Sequence, residues 1–335
     1  MAISLALIDC AHIHVPGFIR MLKARQDVSV KSVWDHDAAR GQMRADELGA
    51  RFVGDYRTIL TDADIAAVIV ASETNRHKAL VPSIVEARKD LFVEKPLGFA
   101  AADAYTMAEA IEKAGVKFQT GYFMRSSPVA QVLKQQVDGG VFGKITRVRG
   151  SNCHSGALGG WFDKEWRWMA DPKIAGCGAF GDLGTHSLDL LIWLCGEVKS
   201  VAAQLDNGTA RYPGCDETGE ALLRFKSGAI GTLAAAWDDL ANPVSLIISG
   251  TEAHAAVIDG ELFFTCKKLD GADGKSPWTK LPAAKPHAFE LFLDALVGKP
   301  VQLIGAREAA YRNAVMQAIY EAAKEERWVE VGVQN

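Results

Sequence analysis

The stretch Ile65-Ala66-Ala67-Val68-Ile69-Val70-Ala71 decides the fold, because it is an unbroken apolar run with no polar residue on either face. A strand of this kind is buried on both sides, as strands inside a parallel sheet are. The flanking sequence agrees, since residues 77–87 have a helical pattern and residues 90–94 form another strand-like run. A strand, a helix and a further strand in this order predict one βαβ unit.

The same alternation covers the first 120 residues. Further strands are predicted at 3–8, 28–34, 51–53 and 117–120, and helices at 16–24, 38–48, 56–60 and 101–114. Repeated β-α units of this length favour a doubly wound parallel sheet of the Rossmann type. We therefore assign residues 1–121 to a dinucleotide-binding domain.

The pattern changes after Gly121. Strand-like segments near 145–150, 198–205, 220–225, 229–237 and 244–249 follow one another, some joined by turns as short as Lys226-Ser227-Gly228. Short turns require antiparallel pairing. With helices predicted at 127–138, 182–195, 286–297 and 306–325, residues 122–335 are predicted to form an α+β domain on a mostly antiparallel sheet.

Composition excludes several function classes. The 335 residues are 49% hydrophobic and 23% charged, with a formal charge of −4, so there is no basic surface for nucleic acid or an acidic membrane. No apolar run reaches the length of a membrane helix, and no signal peptide is recognised at the N-terminus. Six scattered cysteines, without a C-x-x-C pair, predict free thiols and a cytoplasmic protein.

The first strand-to-helix turn reads Asp9-Cys10-Ala11-His12-Ile13-His14 and lacks the glycines that bring a backbone close to a pyrophosphate. If it binds a dinucleotide, the contacts come from Cys10, Ala11, His12 and Ile13. Asp35, at the end of the second strand, is placed to accept hydrogen bonds from an adenosine ribose and to repel a 2′-phosphate. The alternative is a helix N-cap, which Asp37 would serve equally well. Asp35 therefore predicts NAD in preference to NADP.

The segment Glu94-Lys95-Pro96-Leu97-Gly98 follows the fifth strand, at the edge where open α/β sheets bind ligands. Lys95 is placed there to hydrogen-bond a nicotinamide ribose and a substrate hydroxyl. The alternative is a surface lysine in a loop.

Asp182 and His186 lie four residues apart at the start of a helix and so share a face. A carboxylate beside an imidazole suits a general base that removes a hydroxyl proton. Asp182 could instead cap the helix, or the pair could be half of a metal site. We predict no metal, because a third ligand would have to come from an unrelated histidine.

In these features the sequence resembles the glucose–fructose oxidoreductase and inositol dehydrogenase family (Gfo/Idh/MocA). The β-α opening, residues 72–77, Glu94-Lys95-Pro96, Gly121-Tyr122-Phe123-Met124-Arg125 and the glycine-rich run ending in Asp182 and His186 occur in the family's order. The resemblance implies that Lys95, Asp182 and His186 are the catalytic lysine, aspartate and histidine. It also implies an open-faced sheet in the second domain, through which members form homodimers or homotetramers.

The predicted binding residues form two sets. The cofactor set adds to the turn and Asp35 the residues Ser72, Asn75, His77, Glu94 and Lys95. The substrate set comprises Lys95, Arg125, His154, Trp161, Trp168, Asp182 and His186. Flat aromatic faces suit the C–H face of a sugar, although Trp161 and Trp168 could equally pack at a subunit interface.

These residues predict an NAD(P)-dependent dehydrogenase acting on a CH–OH group of a sugar or cyclic polyol. A second hypothesis keeps the same residues but uses transient oxidation by bound NAD to support glycoside cleavage or epimerisation. A third, of another class, is a non-catalytic sugar-binding or regulatory protein, since the first turn has lost its glycines. The intact Lys95, Asp182 and His186 argue against the third.

Overall fold

The computed structural model describes residues 2–332, which form two compact units. The first unit runs to Tyr122 and also includes Lys173–Gly176 and Pro286–Asn313, and the second consists of Phe123–Pro172, Cys177–Lys285 and the residues from Ala314 onward. The sequence-based division into residues 1–121 and 122–335 stays a prediction.

The first unit is built on a six-stranded parallel sheet. Its elements in chain order are β1 (Ile3–Ile8), α1 (Val15–Lys23), β2 (Val28–Trp34), α2 (Ala38–Leu48), β3 (Arg51–Phe52), α3 (Arg57–Thr61), β4 (Ile65–Val70), α4 (His77–Glu86), β5 (Asp90–Val93), α5 (Ala101–Ala114) and β6 (Phe118–Thr120). The spatial order is β3-β2-β1-β4-β5-β6, with every pairing parallel. The strand order reverses between β1 and β4, where open α/β sheets bind ligands.

The remaining elements begin with α6 (Pro128–Asp138), β7 (Ile145–Cys153), α7 (Pro172–Ala175), α8 (Ala179–Cys195), β8 (Val198–Asp206), β9 (Thr218–Phe225) and β10 (Ile230–Ala236). They continue with β11 (Val244–Gly250), β12 (Ala253–Ile258), β13 (Glu261–Cys266), β14 (Asp273–Pro277), α9 (Ala288–Leu296), α10 (Ala306–Glu325) and β15 (Val329–Glu330). Helix α9 belongs to the first unit, where Phe289 stacks on Phe18 of α1 with ring centroids 4.3 Å apart.

The second unit contains a nine-stranded sheet in the order β14-β13-β12-β11-β7-β10-β9-β8-β15. Strands β7 and β10 pair in parallel, and the other neighbours are antiparallel. Helix α8 covers one face: a Cβ on Gly150 of β7 would lie 3.2 Å from Leu191 of α8. The predicted fold class, a parallel Rossmann sheet followed by a mostly antiparallel one, is confirmed.

Two smaller findings bear on the composition. The six cysteines all lie within the described residues, and none of them is in a disulfide bond. None of the helices between residues 2 and 332 combines the length and apolar character needed to cross a membrane.

Candidate functional site

Asp9 occupies the place where β1 ends and the first turn begins. Its φ of 69° is left-handed, a conformation that glycine adopts freely and that Asp tolerates better than most residues. The buried carboxylate lies 2.7 Å from Arg76 Nε and 2.9 Å from His36 Nδ1. Burial, followed by the Asp35 and Glu73 carboxylates, raises the pKa of Asp9 to about 6, although His36 and Arg76 oppose that rise.

The backbone amides of the turn are largely bound within the protein. The amide of Cys10 donates to Asp35 Oδ2 at 2.9 Å, that of His12 to the Ala71 carbonyl at 3.0 Å, and that of His14 to His12 Nδ1 at 3.2 Å. Cys10, Ala11 and His12 are themselves buried. The turn therefore offers an anion fewer backbone donors than a glycine-rich turn would.

Asp35, the predicted ribose acceptor, is buried and already accepts four hydrogen bonds. They come from the amides of Cys10 and Asp37, at 2.9 and 2.8 Å, and from Arg40 Nε and Nη2, both at 2.7 Å. A carboxylate has about four acceptor positions, so a ribose hydroxyl would have to replace one of these donors. The helix-cap role falls to Asp37, which accepts from the amides of Ala39 and Arg40.

The segment after β4 places a second carboxylate at the same edge. Glu73 is buried, with Oε1 3.5 Å from His36 Nε2 and 3.6 Å from Arg40 Nη2. Glu73 Oε2 lies 3.8 Å from Arg76 Nε. Among the described residues it accepts no hydrogen bond, and the same holds for the buried hydroxyl of Thr120 at the end of β6. Buried polar atoms left without a partner at the ligand-binding edge are what a polar ligand would satisfy. The edge therefore fits a hydroxyl-rich cofactor.

Three further predicted cofactor residues follow β4. Ser72 is buried and donates its hydroxyl to the Glu73 carbonyl at 3.1 Å, whereas Asn75 is exposed. His77 Nδ1 lies 3.1 Å from the carbonyls of both Pro96 and Leu97, and burial lowers its pKa. His77 thus supports the loop after Lys95, and its predicted cofactor contact stays a prediction.

Glu94 and Lys95 are both buried at the end of β5. Glu94 accepts from the Lys95 amide and from His14 Nδ1, each at 2.9 Å. Burial alone would raise the pKa of Glu94, but the His12 and His14 rings and Lys95 hold it well below its usual range. A Cβ on Gly121 would lie 2.5 Å from Glu94 Oε2, which explains the glycine in that motif.

In the second unit, helix α8 carries Asp182 and His186 and is capped from elsewhere in the chain. Asp216 accepts hydrogen bonds from the amides of Gly178 and Phe180, at 3.1 and 2.8 Å, and from the Tyr320 hydroxyl at 2.9 Å. Because Asp216 satisfies these amides, Asp182 is not needed as the cap.

Asp182 accepts a hydrogen bond of 3.3 Å from the indole Nε1 of Trp237, which is fully buried. His186 is buried one turn further along α8 and packs against the Phe123 ring, with centroids 4.9 Å apart. The charge of the Asp182 carboxylate acts on His154. Burial lowers the pKa of His154, and Asp182 partly opposes the change.

The loop after β7 contains the predicted aromatic residues. Trp161 is 49% exposed, and its ring is tilted by 34° to that of His154, with the centroids 4.7 Å apart. Phe162, beside it, is buried against Trp237 at 4.2 Å. Trp168 is half-buried in a short 3₁₀ helix, Arg167–Ala170.

Arg125 binds within the second unit. Its Nε and Nη2 lie 2.8 and 2.5 Å from the two carboxylate oxygens of the buried Asp189 on α8, and its guanidinium lies over the Trp193 ring. Because Nε and Nη2 both donate to Asp189, a substrate would have to contact another edge of the Arg125 guanidinium. That contact remains a prediction.

Sequence reasoning did not select several residues that shape these surroundings: His14, Glu73, Asp216, Trp237 and Tyr320. His14 lies in the first turn and Glu73 in the segment 72–77, and both segments were selected for other residues. Asp216, Trp237 and Tyr320 have no local signal, because each acts on a residue far away in the chain.

Two family models match the chain. One, described as an oxidoreductase family with an NAD-binding Rossmann fold, matches residues 12–122, and the other, described as the GFO/IDH/MocA C-terminal domain, matches residues 130–256. The chain is 27% identical over 240 residues to a levoglucosan dehydrogenase of Pseudarthrobacter phenanthrenivorans, covering 64% of this chain and 59% of that one. It is 30% identical over 222 residues to a myo-inositol 2-dehydrogenase of Thermotoga maritima, covering 63% and 62%.

These matches span about three fifths of the length of the curated relatives. Among solved structures, a levoglucosan dehydrogenase in complex with NADH and levoglucosan superposes with a TM-score of 0.82 at 21% identity, covering 99% of this chain and 100% of that one. At this identity, the likeness concerns the fold.

Proposed function

The chain belongs to the Gfo/Idh/MocA oxidoreductase family, and we propose that it transfers a hydride between NAD and a hydroxyl-bearing carbon of a sugar or cyclic polyol. The prediction of NAD as cofactor is confirmed at the level of the N-terminal domain, whose family model is an NAD-binding Rossmann fold. The observation that carries the proposal is Lys95. It is a lysine only 4% exposed at the ligand-binding edge of the sheet, next to the buried Glu94 carboxylate.

We assign Lys95, Asp182 and His186 to the catalytic group. His186 removes the proton of the reacting hydroxyl, for which a neutral imidazole is suited. Asp182, held by Trp237, orients that hydroxyl or the imidazole. Lys95 places a positive charge where the alkoxide develops. The nicotinamide, when bound, supplies the hydride chemistry.

The first experiment tests NAD reduction with a panel of inositols and anhydro-, aldo- and ketosugars. Lys95→Met should lower kcat/KM by about 100-fold or more, because it removes the charge opposite the alkoxide. Lys226→Met is the matched control, since Lys226 is exposed and pairs with Glu197. Turnover of Lys95→Met close to that of the control would exclude the assigned role, and a wild-type chain that neither binds NAD nor oxidises any of the panel would contradict the function.

A second candidate function uses the same residues for transient oxidation. Its support is a relative named 2,7-anhydro-N-acetylneuraminate hydratase, from Escherichia coli, which is 26% identical over 246 residues, covering 71% of this chain and 63% of that one. A net hydration, elimination or epimerisation would consume no NAD. Complete product formation with NAD at a small fraction of the substrate concentration would favour it, and stoichiometric NADH would favour the dehydrogenase.

We also propose that the second sheet forms a homodimer or homotetramer. Its face opposite α8 exposes Leu222, Ile230 and Ile258, which are 39%, 51% and 36% accessible. Apolar side chains on one sheet face are typical of an interface. A molar mass near 36.1 kDa by light scattering would contradict this assembly, because that is the mass of one chain.

A further inference from the structure

A cavity of about 500 Å³ lies within the second unit. Its lining comes mainly from the start of α6, from α8 and from strands β7, β11 and β12 of the second sheet. Gly150, Leu246 and Val257 are buried, whereas Ser127 and Gly260 are exposed, so the cavity runs from the interior of this unit to its surface. These lining residues are distinct from the substrate residues predicted from the sequence.

The side chains that line this cavity are mainly apolar, among them Phe123, Val129 and Leu190. The polar ones are serines, and no charged side chain of residues 2–332 lines the cavity. A phosphate, carboxylate or ammonium group placed there would lose its water without gaining an opposite charge. Small-molecule sites typically have volumes of about 300–1,000 Å³. The cavity therefore fits an uncharged, apolar part of a small molecule.

The cavity shares a wall with the proposed general base. The ring of Phe123 lines the cavity and also packs against the His186 ring, with centroids 4.9 Å apart. Ser187, which follows His186 in α8, and Leu190, one turn further along, line the cavity as well. A molecule that reacts at His186 is therefore one aromatic ring away from the cavity.

We propose that this cavity binds the apolar aglycone of a neutral glycoside whose sugar ring is oxidised beside His186. The glycosidic bond stays intact: the hydrogen on the reacting carbinol carbon leaves as a hydride to NAD, and the proton of its hydroxyl goes to His186. An alkyl or aryl aglycone is uncharged and apolar, as the lining requires. This inference rests on the proposed function, since it takes a sugar hydroxyl as the group that is oxidised.

The lining favours such a glycoside over other substrates of the same broad class. A free inositol or an unsubstituted sugar has no apolar group to place in the cavity, so the apolar lining would stay in contact with water. A sugar acid or a sugar phosphate would bring a charge to a lining that offers no opposite charge. An aglycone removes apolar area of both ligand and wall from water, which favours binding.

The test compares methyl and phenyl glycosides of several aldopentoses and aldohexoses, each pair identical in sugar and anomer, by NAD reduction with the full-length chain. Free sugars and inositols are measured alongside them. For the sugar that is oxidised, kcat/KM should be about tenfold to a hundredfold higher for the phenyl glycoside than for the methyl glycoside, the range expected for burial of an aromatic ring.

Two substitutions fill the cavity from different segments. Val129→Trp acts from the start of α6, where Val129 is half-buried, and Leu281→Trp acts at a position that is 37% exposed and so tolerates a larger side chain if the first variant fails to fold. Val137→Trp is the matched control, because Val137 is a half-buried valine of the same helix outside the cavity lining. The readout is the phenyl-to-methyl ratio of kcat/KM within each variant, so a loss common to both substrates cancels.

The ratio should fall to near one in Val129→Trp and Leu281→Trp and stay at the wild-type value in Val137→Trp. A wild-type ratio near one, a ratio that neither cavity variant lowers, or oxidation of free sugars without any glycoside would overturn this inference and leave the proposed function standing.

A chain that oxidises none of these compounds would overturn the proposed function, and the cavity is then tested by calorimetric titration with phenyl and methyl glucoside. Binding of phenyl glucoside that is tighter than that of methyl glucoside, and that Val129→Trp but not Val137→Trp weakens, would still support the aglycone site. Equal binding of the two glucosides, or none, would overturn it.

Discussion

Replacing Asp9 by asparagine should change how the stability of the protein depends on pH. Asp9 is fully buried, and its pKa of about 6 stands above the ordinary value of 3.8, chiefly because of burial and then because of Asp35 and Glu73. A carboxyl group whose pKa is raised on folding binds its proton more tightly in the folded state. Its contribution to stability is therefore complete below pH 3.8 and is lost as the pH rises through 6.

The size of the effect follows from the pKa difference. At about 1.36 kcal/mol per unit, the shift from 3.8 to about 6 corresponds to about 3 kcal/mol. Roughly half of this is already lost at pH 5, because the unfolded chain ionises first, and the remaining ~1.5 kcal/mol is lost between pH 5 and pH 8. Asparagine cannot ionise, so Asp9→Asn should gain about 1.5 kcal/mol relative to wild type over that interval.

The assay is urea unfolding followed by far-UV circular dichroism at several pH values from 5 to 8, analysed as the difference between variant and wild type. Asp55→Asn is the control, because the Asp55 side chain is 52% exposed and lies on the surface of the same unit. The control should show a nearly pH-independent difference. A flat difference for Asp9→Asn, or one that falls as the pH rises, would refute the reasoning about burial of Asp9.

Two further predictions concern α8, the helix that carries the proposed catalytic residues Asp182 and His186. Asp216→Asn leaves one anionic acceptor fewer at the start of α8 and should lower the stability of the second unit by about 1–2 kcal/mol, measured by thermal unfolding; an unchanged melting temperature would exclude the capping role. Trp237→Phe removes the indole N–H that binds Asp182 and leaves a cavity at a fully buried position. It should lower kcat several-fold and also lower the melting temperature, and an unchanged kcat and pH–rate profile would show that the bond has no positioning role.

Much of the first unit could be predicted because its signals are local. The strands at Ile3–Ile8 and Val28–Trp34 and the helix Ala101–Ala114 were predicted to the residue, since each is a periodic apolar segment between polar turns. The segments β12 to β15 were missed. They lie towards the edges of the second sheet, and β14, Asp273–Pro277, contains no apolar alternation at all.

The membership of α9 could not be predicted for a different reason. Its amphipathic pattern shows that it buries one face but does not say against which sheet. The stacking of Phe289 on Phe18 joins residues far apart in sequence and places this helix in the first unit. Only the folded chain contains that information.

Part of the candidate site could be predicted from local motifs, and part could not. Lys95, Asp182 and His186 could be selected because each lies in a motif whose spacing relates it to a strand end or a helix face. The groups that cap the start of α8 could not, since Asp216 is 36 residues from Phe180 and Tyr320 is 139 residues from Gly181. A short motif specifies which residue type acts, whereas the long-range partners specify its orientation.

The glycine-poor turn could be recognised from the sequence, but the contacts of its Asp9 could not. Asp9 retains the left-handed backbone that glycine would adopt, so the turn keeps its shape. What it adds is a side chain that a glycine lacks, and this carboxylate binds Arg76 and His36 across the ends of β2 and β4. An aspartate at this position therefore adds an ion-pair network to the turn, which a glycine could not form.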